Sequence, residues 1–325
     1  MLTTFTRKLG RSGIEISALG VGCWAMGGAG WGGGADDQES LRGIRRALEM
    51  GVNFFDTADA YGGGHSERVL AEAVQGQRDK AVIATKFAWM TDPVTGELTG
   101  GNPDSIPRAC EDSLKRLNTD YIDLYQFHHN DFDAQTGVAV REALEKLVEQ
   151  GKIRTYGWST DFPDRARVFA AGPNCTAIQV ELNVVDDAPD ILEVCEEFDL
   201  AAINRGPLAM GLLTGKYKPD TTLPEDDVRG PNAPDWMKFF KDGKPNPEWL
   251  DMVNAVGDLL RSEGRTLAQG ALAWLWARSE KNIPIPGFRT EAQLVENCGA
   301  LEFGPLQASQ MAEIDAILGR EVVAG

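Results

Sequence analysis

The chain has 325 residues, 42% of them hydrophobic and 25% charged, an ordinary balance for a globular protein. Its formal net charge of −17 argues against a nucleic-acid or anionic-membrane surface, because both need clustered Lys and Arg, but leaves room for one local basic pocket. Five scattered cysteines (Cys23, Cys110, Cys175, Cys195, Cys298) with no CxxC pair indicate neither a zinc site nor a disulfide framework and fit a reducing cytoplasm. The N-terminus lacks the apolar core of a signal peptide, and no apolar run approaches the ~20 residues that cross a bilayer.

Residues 5–16 alternate apolar and polar around Gly10-Arg11-Ser12-Gly13, which predicts a small hairpin. Short apolar runs then alternate with amphipathic helical patterns. A run at 18–24 and a glycine-rich loop precede a helix at 37–50, then a run at 52–55, a helix at 66–74 and a run at 81–86. After a long polar loop come a helix at 104–117, a run at 121–128, a helix at 138–150 and a run at 153–158. A helix beginning at 163 is followed by a run at 177–180, a helix at 189–198 and a run at 200–203. A long insertion, 204–247, leads to helical patterns at 248–263 and 267–278, a run at 283–286 and a helix at 291–300.

Eight strand-type runs, each followed by a helix, favour a parallel sheet closed as a (β/α)8 TIM barrel, with an N-terminal β-hairpin and long substrate loops. Nothing in the composition splits the chain, so residues 1–325 are expected to be a single domain. In such a barrel, functional residues lie at the C-terminal ends of strands and on the loops that follow. Asp56, Lys86 and His128 each end a predicted strand, and Tyr61 lies on the loop after the second; all four are expected at one mouth.

Tyrosine ordinarily loses its proton near pH ~10, too high for an efficient acid at neutral pH. Lys86 beside the phenol is expected to lower that value, with Asp56 holding the ammonium in place. His128 can donate a hydrogen bond to a carbonyl oxygen. These groups would protonate an oxygen as negative charge develops on it. They include no obvious nucleophile and no metal cage, which points to a carbonyl that receives hydride from a cofactor.

Asp56-x4-Tyr61-Gly62, Lys86 after Ile83-Ala84-Thr85, and His128 ending Asp123-Leu124-Tyr125-Gln126-Phe127 resemble the catalytic tetrad of the aldo-keto reductases. Gly64-His65-Ser66-Glu67, the stretch from Pro207 to Lys216, and Ile285-Pro286-Gly287 with Glu296-Asn297 are similar to that family as well, in the right order along nearly the whole chain. The resemblance implies NADPH bound in extended form over the barrel mouth, with NADH as the alternative, and a small-molecule carbonyl or alcohol as substrate. It implies Tyr61 as proton donor, Lys86 and Asp56 as its tuning partners and His128 as substrate orienter. Trp24 and Trp89 would join Tyr61 and His128 around the substrate. Ser159 and Gln179 would bind the nicotinamide carboxamide, with Gly22, Cys23, Trp24 and Asp56 beside it. Arg205, Gly206, Pro207, Leu208, Gly211, Leu212, Thr214, Gly215 and Lys216 would follow the cofactor toward its pyrophosphate. Gly287, Arg289, Gln293 and Asn297 would sit at the adenosine end. Two departures bear on this: Arg205 stands where many members stack a tyrosine on the nicotinamide, and Gln293 stands where a second basic residue is common.

Gly28, Gly30 and Gly33 match G-x-G-x-x-G, the hook for a rival Rossmann dehydrogenase. Asp36-Asp37 at the next helix start would repel a pyrophosphate, so the segment reads instead as a mobile loop near the substrate. Trp274 and Trp276 read as helix packing. Trp24, Trp31, Trp89, Trp158 and Trp236 fall on predicted rim segments, and at least one is expected to touch substrate. Cys23 reads as a small filler. An NADPH-dependent carbonyl reductase is weighed against a non-catalytic nucleotide-binding subunit, and the intact tetrad favours the enzyme.

Overall fold

A computed structural model describes residues 5–28, 30–91, 93–94, 96–100 and 102–320. The hairpin forms as expected: β1 (Thr6–Lys8) pairs antiparallel with β2 (Glu15–Ser17). Its apolar side chains Leu9, Ile14 and Ile16 pack against Phe54, Val82, Leu124, Ala177 and Ile283 inside the barrel. Arg11 fastens the hairpin turn to the carbonyls of Ala170, Gly172 and Cys175 at 2.6–2.8 Å. The hairpin is therefore a plug in the N-terminal end of the barrel.

The barrel strands are β3 (Gly20–Gly22), β4 (Phe54–Asp56), β5 (Val82–Phe87), β6 (Ile122–Phe127), β7 (Ile153–Ser159), β8 (Cys175–Glu181) and β9 (Ala201–Arg205). A short excursion carrying the hairpin β10 (Phe240–Lys241) and β11 (Lys244–Pro245) precedes the last barrel strand, β12 (Asn282–Pro284). Each barrel strand is parallel to the next, in the order β3-β4-β5-β6-β7-β8-β9-β12. The seam between first and last is closed just beyond β12 by a parallel bridge from Gly22 to Gly287, with Gly22 N donating to Pro286 O at 3.0 Å.

The covering helices are α1 (Asp37–Glu49), α2 (His65–Ala73), α3 (Ile106–Leu117), α4 (Ala134–Glu149), α5 (Pro163–Ala170) and α6 (Pro189–Glu197), followed by α7 (Pro247–Leu260) and α8 (Leu267–Arg278), then α9 (Glu291–Gly299) and α10 (Ala308–Ile317). In α3 the buried residues Ile106, Ala109, Cys110, Ser113, Leu114 and Leu117 form one helical stripe. In α8 every residue from Gly270 to Trp276 is buried, Trp274 and Trp276 included, as befits a helix covered on all sides. A capping box between Thr266 and Gln269 starts it.

Three boundaries differ from the sequence reading. Helix α4 begins at Ala134, well before 138, because the Asp133 carboxylate caps Thr136 N at 2.8 Å. The insertion 204–247 is partly ordered, with a 3-10 segment at Ala209–Thr214 besides its small hairpin. Helix α10 was not expected; Ile314 alone is buried in it, too little for an apolar stripe. Among the described residues no helix is long and apolar enough to cross a membrane, and all five cysteines are free and buried.

Period two along the strands decides what faces the barrel axis. Phe54, Ala84, Leu124, Ala177 and Ala201 pack inside, while their neighbours Phe55, Ile83, Tyr125, Ile178 and Ala202 pack outward under the helices. Two residues further on, the inward set becomes Asp56, Lys86, Gln126, Gln179 and Ile203. The apolar interior thus gives way to a polar layer at the C-terminal end.

Candidate active site

Lys86 is completely buried, and all three of its ammonium donors are used. Nζ donates to Asp56 Oδ1 at 2.5 Å, to Thr57 O at 2.8 Å and to Tyr61 Oη at 3.2 Å. The other Asp56 oxygen, Oδ2, accepts from Gln126 Nε2 at 2.9 Å and from Gln179 Nε2 at 2.8 Å. Tyr61 is delivered to Lys86 by a tight backbone approach. Gly62 has φ +61° and passes so close to Gly27 that a Cβ on it would lie 2.3 Å from Gly27 O. His128 follows β6 and meets the Tyr61 ring edge-on, with centroids 6.0 Å apart. The structure therefore brings Asp56, Tyr61, Lys86 and His128 together.

Burial alone would lower the Lys86 ammonium's pKa, but Asp56 and Tyr61 outweigh it and hold it above the usual range. The expectation that Tyr61 becomes more acidic than free tyrosine is not met in this state. Burial raises its pKa, Lys86 pulls it down, Asp56 pushes it up, and the net shift is upward. Tyr61 thus holds its proton and Lys86 its charge. His128 is held neutral, well below the ordinary histidine range, first by burial and then by Lys86, Arg205 and His129. Its Nδ1 is buried without a partner among the described residues, which leaves Nε2 as the nitrogen to work with.

Three tryptophans flank this centre. Trp24 stacks on Tyr61 with centroids 6.1 Å apart, meets Trp31 edge-on at 4.9 Å, and lies 6.1 Å from Trp236, which is 56% exposed. Trp89 stands on the rim, but its Nε1 donates to the His128 carbonyl and its ring stacks on His129. Two rim assignments are corrected by strand parity. Trp158 alternates outward from β7 and is wholly buried against Phe127 and Phe169. Cys23, one step past inward-facing Gly22, is wholly buried in the helix-side core, so it fills space there rather than lining the mouth.

Ser159, Gln179, Arg205 and Gly287, among the residues assigned to a dinucleotide, lie at or just beyond the C-terminal ends of the neighbouring strands β7, β8, β9 and β12. Ser159 and Gln179 are in register on β7 and β8, and because the Gln179 nitrogen is committed to Asp56, its carbonyl oxygen is what it can offer a ligand. Arg205 is clamped by Glu181, from Nη1 at 3.2 Å, and by Asp161. Gly206 accepts a bond from Asn183 Nδ2 at 3.2 Å. Pro207, Leu208 and Leu212 are buried, Gly211 accepts from Thr214 Oγ1 at 2.8 Å, and Gly215 and Lys216 are exposed. Although Lys216 as a whole residue is exposed, the neighbouring chain partly desolvates its ammonium and lowers its pKa, as do Arg229 and Arg289, against Asp227. Arg229 is buried and paired with Asp227, which leaves the Lys216 ammonium as the group suited to a phosphate-bearing ligand.

Beyond Lys216, Asn297 Nδ2 bonds Gly287 O at 3.3 Å, and Gln293 Oε1 accepts from Arg289 N at 2.8 Å. The Arg289 guanidinium is spent on the carbonyls of Trp31, Gly32 and Gly34 at 2.5–3.0 Å. The glycine-rich loop is also pinned from the far side, by Val228 N on Gly30 O at 2.7 Å and Gly33 N on the Asp226 carboxylate at 3.1 Å. Among its described residues the loop is thus hydrogen-bonded from two sides.

Sequence reasoning missed Gln126, although its place two residues before His128 was signal enough. It also missed the Asp161–Glu181 clamp. Arg229, bonded to Asp227 and to Tyr217 Oη at 2.6 Å, lies in the insertion, where no periodicity marks it.

A family model described as the aldo/keto reductase family matches residues 18–319. The chain is 35% identical over 308 residues to the aldo-keto reductase yakc [NADP(+)] of Schizosaccharomyces pombe, covering 91% of this chain and 86% of that one. It is 32% identical over 314 residues to the aldo-keto reductase YhdN of Bacillus subtilis, covering 94% and 91%. Among solved structures, the glycerol dehydrogenase AKR11B4 of Gluconobacter oxydans superposes with a TM-score of 0.81 at 32% identity, covering 99% of this chain and 98% of that one. An aldo-keto reductase of Klebsiella pneumoniae in complex with NADPH gives 0.70 at 26% identity, covering 98% and 96%.

Proposed function

The chain belongs to the aldo/keto reductase family, and from that premise we propose that it reduces aldehydes or ketones to alcohols with NADPH, Tyr61 giving the proton. The observation that carries this reading is the buried chain from Asp56 Oδ1 through Lys86 Nζ to Tyr61 Oη, at 2.5 and 3.2 Å. NADPH, when bound, would provide the hydride that the carbonyl carbon accepts. His128, neutral, donates from Nε2 to the carbonyl oxygen and orients it. As negative charge gathers on that oxygen, Tyr61 passes its proton there. Lys86 stabilises the phenolate left behind, and Asp56 keeps Lys86 charged and aimed. The rise in the Tyr61 pKa on burial keeps the donor protonated until charge develops. Ser159 and the Gln179 carbonyl would hold the carboxamide, and Lys216 the anionic end; relatives named for NADP or solved with it support that cofactor.

The test is NADPH oxidation followed by absorbance across a panel of aldehydes and ketones, alongside NADPH titration by fluorescence. Wild-type protein should turn over, and Tyr61→Phe should lose turnover while binding NADPH almost as well. NADPH binding without turnover of any carbonyl would favour a non-catalytic nucleotide-binding role. Equal loss of binding and turnover in Tyr61→Phe would remove the donor assignment.

A further inference from the structure

Behind the reaction centre a crevice of about 50 Å3 lies between the loop after β4, the loop after β5 and helix α3. It is open past Thr91 and Pro93, both exposed, while Asp59, Thr99 and Ala109 form its buried wall. Two oxygens of that wall have no partner among the described residues: Asp59 Oδ1, in a residue 1% exposed, and Thr99 Oγ1, in one 5% exposed. Buried polar atoms without a hydrogen bond are unfavourable and rare. The charged side chains beside them are engaged elsewhere, Arg116 with Glu67 and Ser113, and Asp112 with Lys115 at 3.0 Å. Among the described residues no group of acids, histidines or cysteines gathers that could hold a metal ion. The wall therefore asks for a small neutral molecule that can both donate and accept. Water fits: at about 10–15 Å3 each, about three or four molecules fill the crevice.

Both loops that meet here lead to the reaction centre. Asp59 lies between Thr57, whose carbonyl accepts from Lys86 Nζ at 2.8 Å, and Tyr61; its own N donates to Lys86 O at 3.1 Å. Thr99 lies on the returning arm of a small hairpin, where Thr99 N donates to Met90 O at 2.9 Å, Gly100 N to Ala88 O at 3.0 Å, and Thr91 bridges Leu98. The outgoing arm carries Trp89, whose Nε1 donates to the His128 carbonyl. We propose that the crevice is a water-binding site, in which a short chain of ordered water joins Asp59 Oδ1 to Thr99 Oγ1 and fastens the Tyr61 loop to the Trp89 hairpin. Water suits either state of the carboxyl, donating to it when ionised and accepting from it when protonated.

Thr99→Val keeps the shape of the side chain and removes its hydroxyl, and the two states of the crevice predict opposite outcomes. If the hydroxyl is dry, deleting it relieves a buried unpaired group and tightens the hairpin; if it is bonded to water, deleting it lets the hairpin go. Amide hydrogen exchange of the full chain reads the difference at Gly100. In Thr99→Val that amide should exchange about tenfold faster, about the worth of one hydrogen bond, and Thr99→Ser should exchange as wild type does. Exchange in Thr99→Val as slow as wild type or slower overturns the inference, as does Thr99→Ser matching Thr99→Val, which would make the methyl group the cause. A high-resolution crystal structure of the unaltered chain gives a second reading: water within hydrogen-bond distance of both oxygens supports the site, and its absence from either overturns it. Neither measurement uses turnover, so both stand whatever becomes of Tyr61 as donor.

Discussion

Gln179 reaches Asp56 across the barrel, its Nε2 donating to Oδ2 at 2.8 Å from the sixth strand of the ring to the second. With Gln126 on the same oxygen and Lys86 on the other, the carboxylate is met by one ammonium and two amides. A buried charge held by three donors from three strands is a fixed reference point for everything above it.

Gln126 holds this charge and also accepts from Gln179 Nε2 at 3.3 Å, but has no role of its own in the proposed cofactor contacts, so it probes the cost of the network. Gln126→Leu should lower stability by about 1.5–3 kcal/mol, the usual worth of a hydrogen bond to a charged group. It should also lower kcat while leaving NADPH affinity unchanged. Urea unfolding and steady-state kinetics on one preparation check both; unchanged stability would mean that Asp56 is satisfied without it.

Lys86→Met strands Asp56 in the interior. Removing one partner of a buried pair costs about 3–5 kcal/mol, whereas replacing both by apolar groups is often close to neutral. The double variant Lys86→Met/Asp56→Leu should therefore unfold at a higher denaturant concentration than Lys86→Met alone, though both lack turnover. A double variant less stable than the single would contradict the uncompensated charge as the cause.

Asp59 lies behind the reaction centre at 1% exposure, with Oδ1 unpartnered among the described residues. Burial, then Glu67, pushes its carboxyl up to about 7. Below pH ~4 both folded and unfolded chains keep this proton. As pH rises the unfolded chain ionises first, and the folded state loses stability up to about 7, where its own carboxyl ionises. Asp59→Asn removes that loss. It should be more stable than wild type at pH 8 by a few kcal/mol, at about 1.4 kcal/mol per unit, and converge with wild type near pH 4. Thermal melts at the two pH values decide it; an equal difference at both would rule out the carboxyl.

Gly62 and Gly63 have nearly the same backbone, φ +61° and +59°, but a Cβ on Gly63 would meet nothing within 4 Å. Gly63→Ala should pay only the left-handed strain of about 1–2 kcal/mol. Gly62→Ala should cost more and lower kcat as well, because relieving its clash with Gly27 O displaces Tyr61. Equal effects on melting and rate would show that the close approach does not set the tyrosine.

Asp56, Lys86 and His128 were legible because each ends an apolar run, and a parallel barrel makes run ends converge. The same alternation, applied one residue at a time, would have found Gln126 and sent Trp158 and Cys23 to the helix side. The Tyr61 shift was misjudged because a motif names a neighbour, Lys86, without saying how much water has been excluded around both. Arg229 and the pinning of the glycine-rich loop depend on an insertion with no repeating pattern, so only the folded chain reveals them. The start of α4 turned on the Asp133 cap, a side-chain bond weighed too lightly against the apolar stripe that follows.

The bridge between Gly22 and Gly287 that closes the ring among the described residues also bears on the order of assembly. Its two sides are separated by most of the chain, so the ring cannot shut until the final strand has been synthesised. Until then β3 and β9 are raw sheet edges flanking a nearly finished wall. Docking of β12 is expected to be a late, slow event in refolding, and the interval before it is when edge-to-edge aggregation would compete.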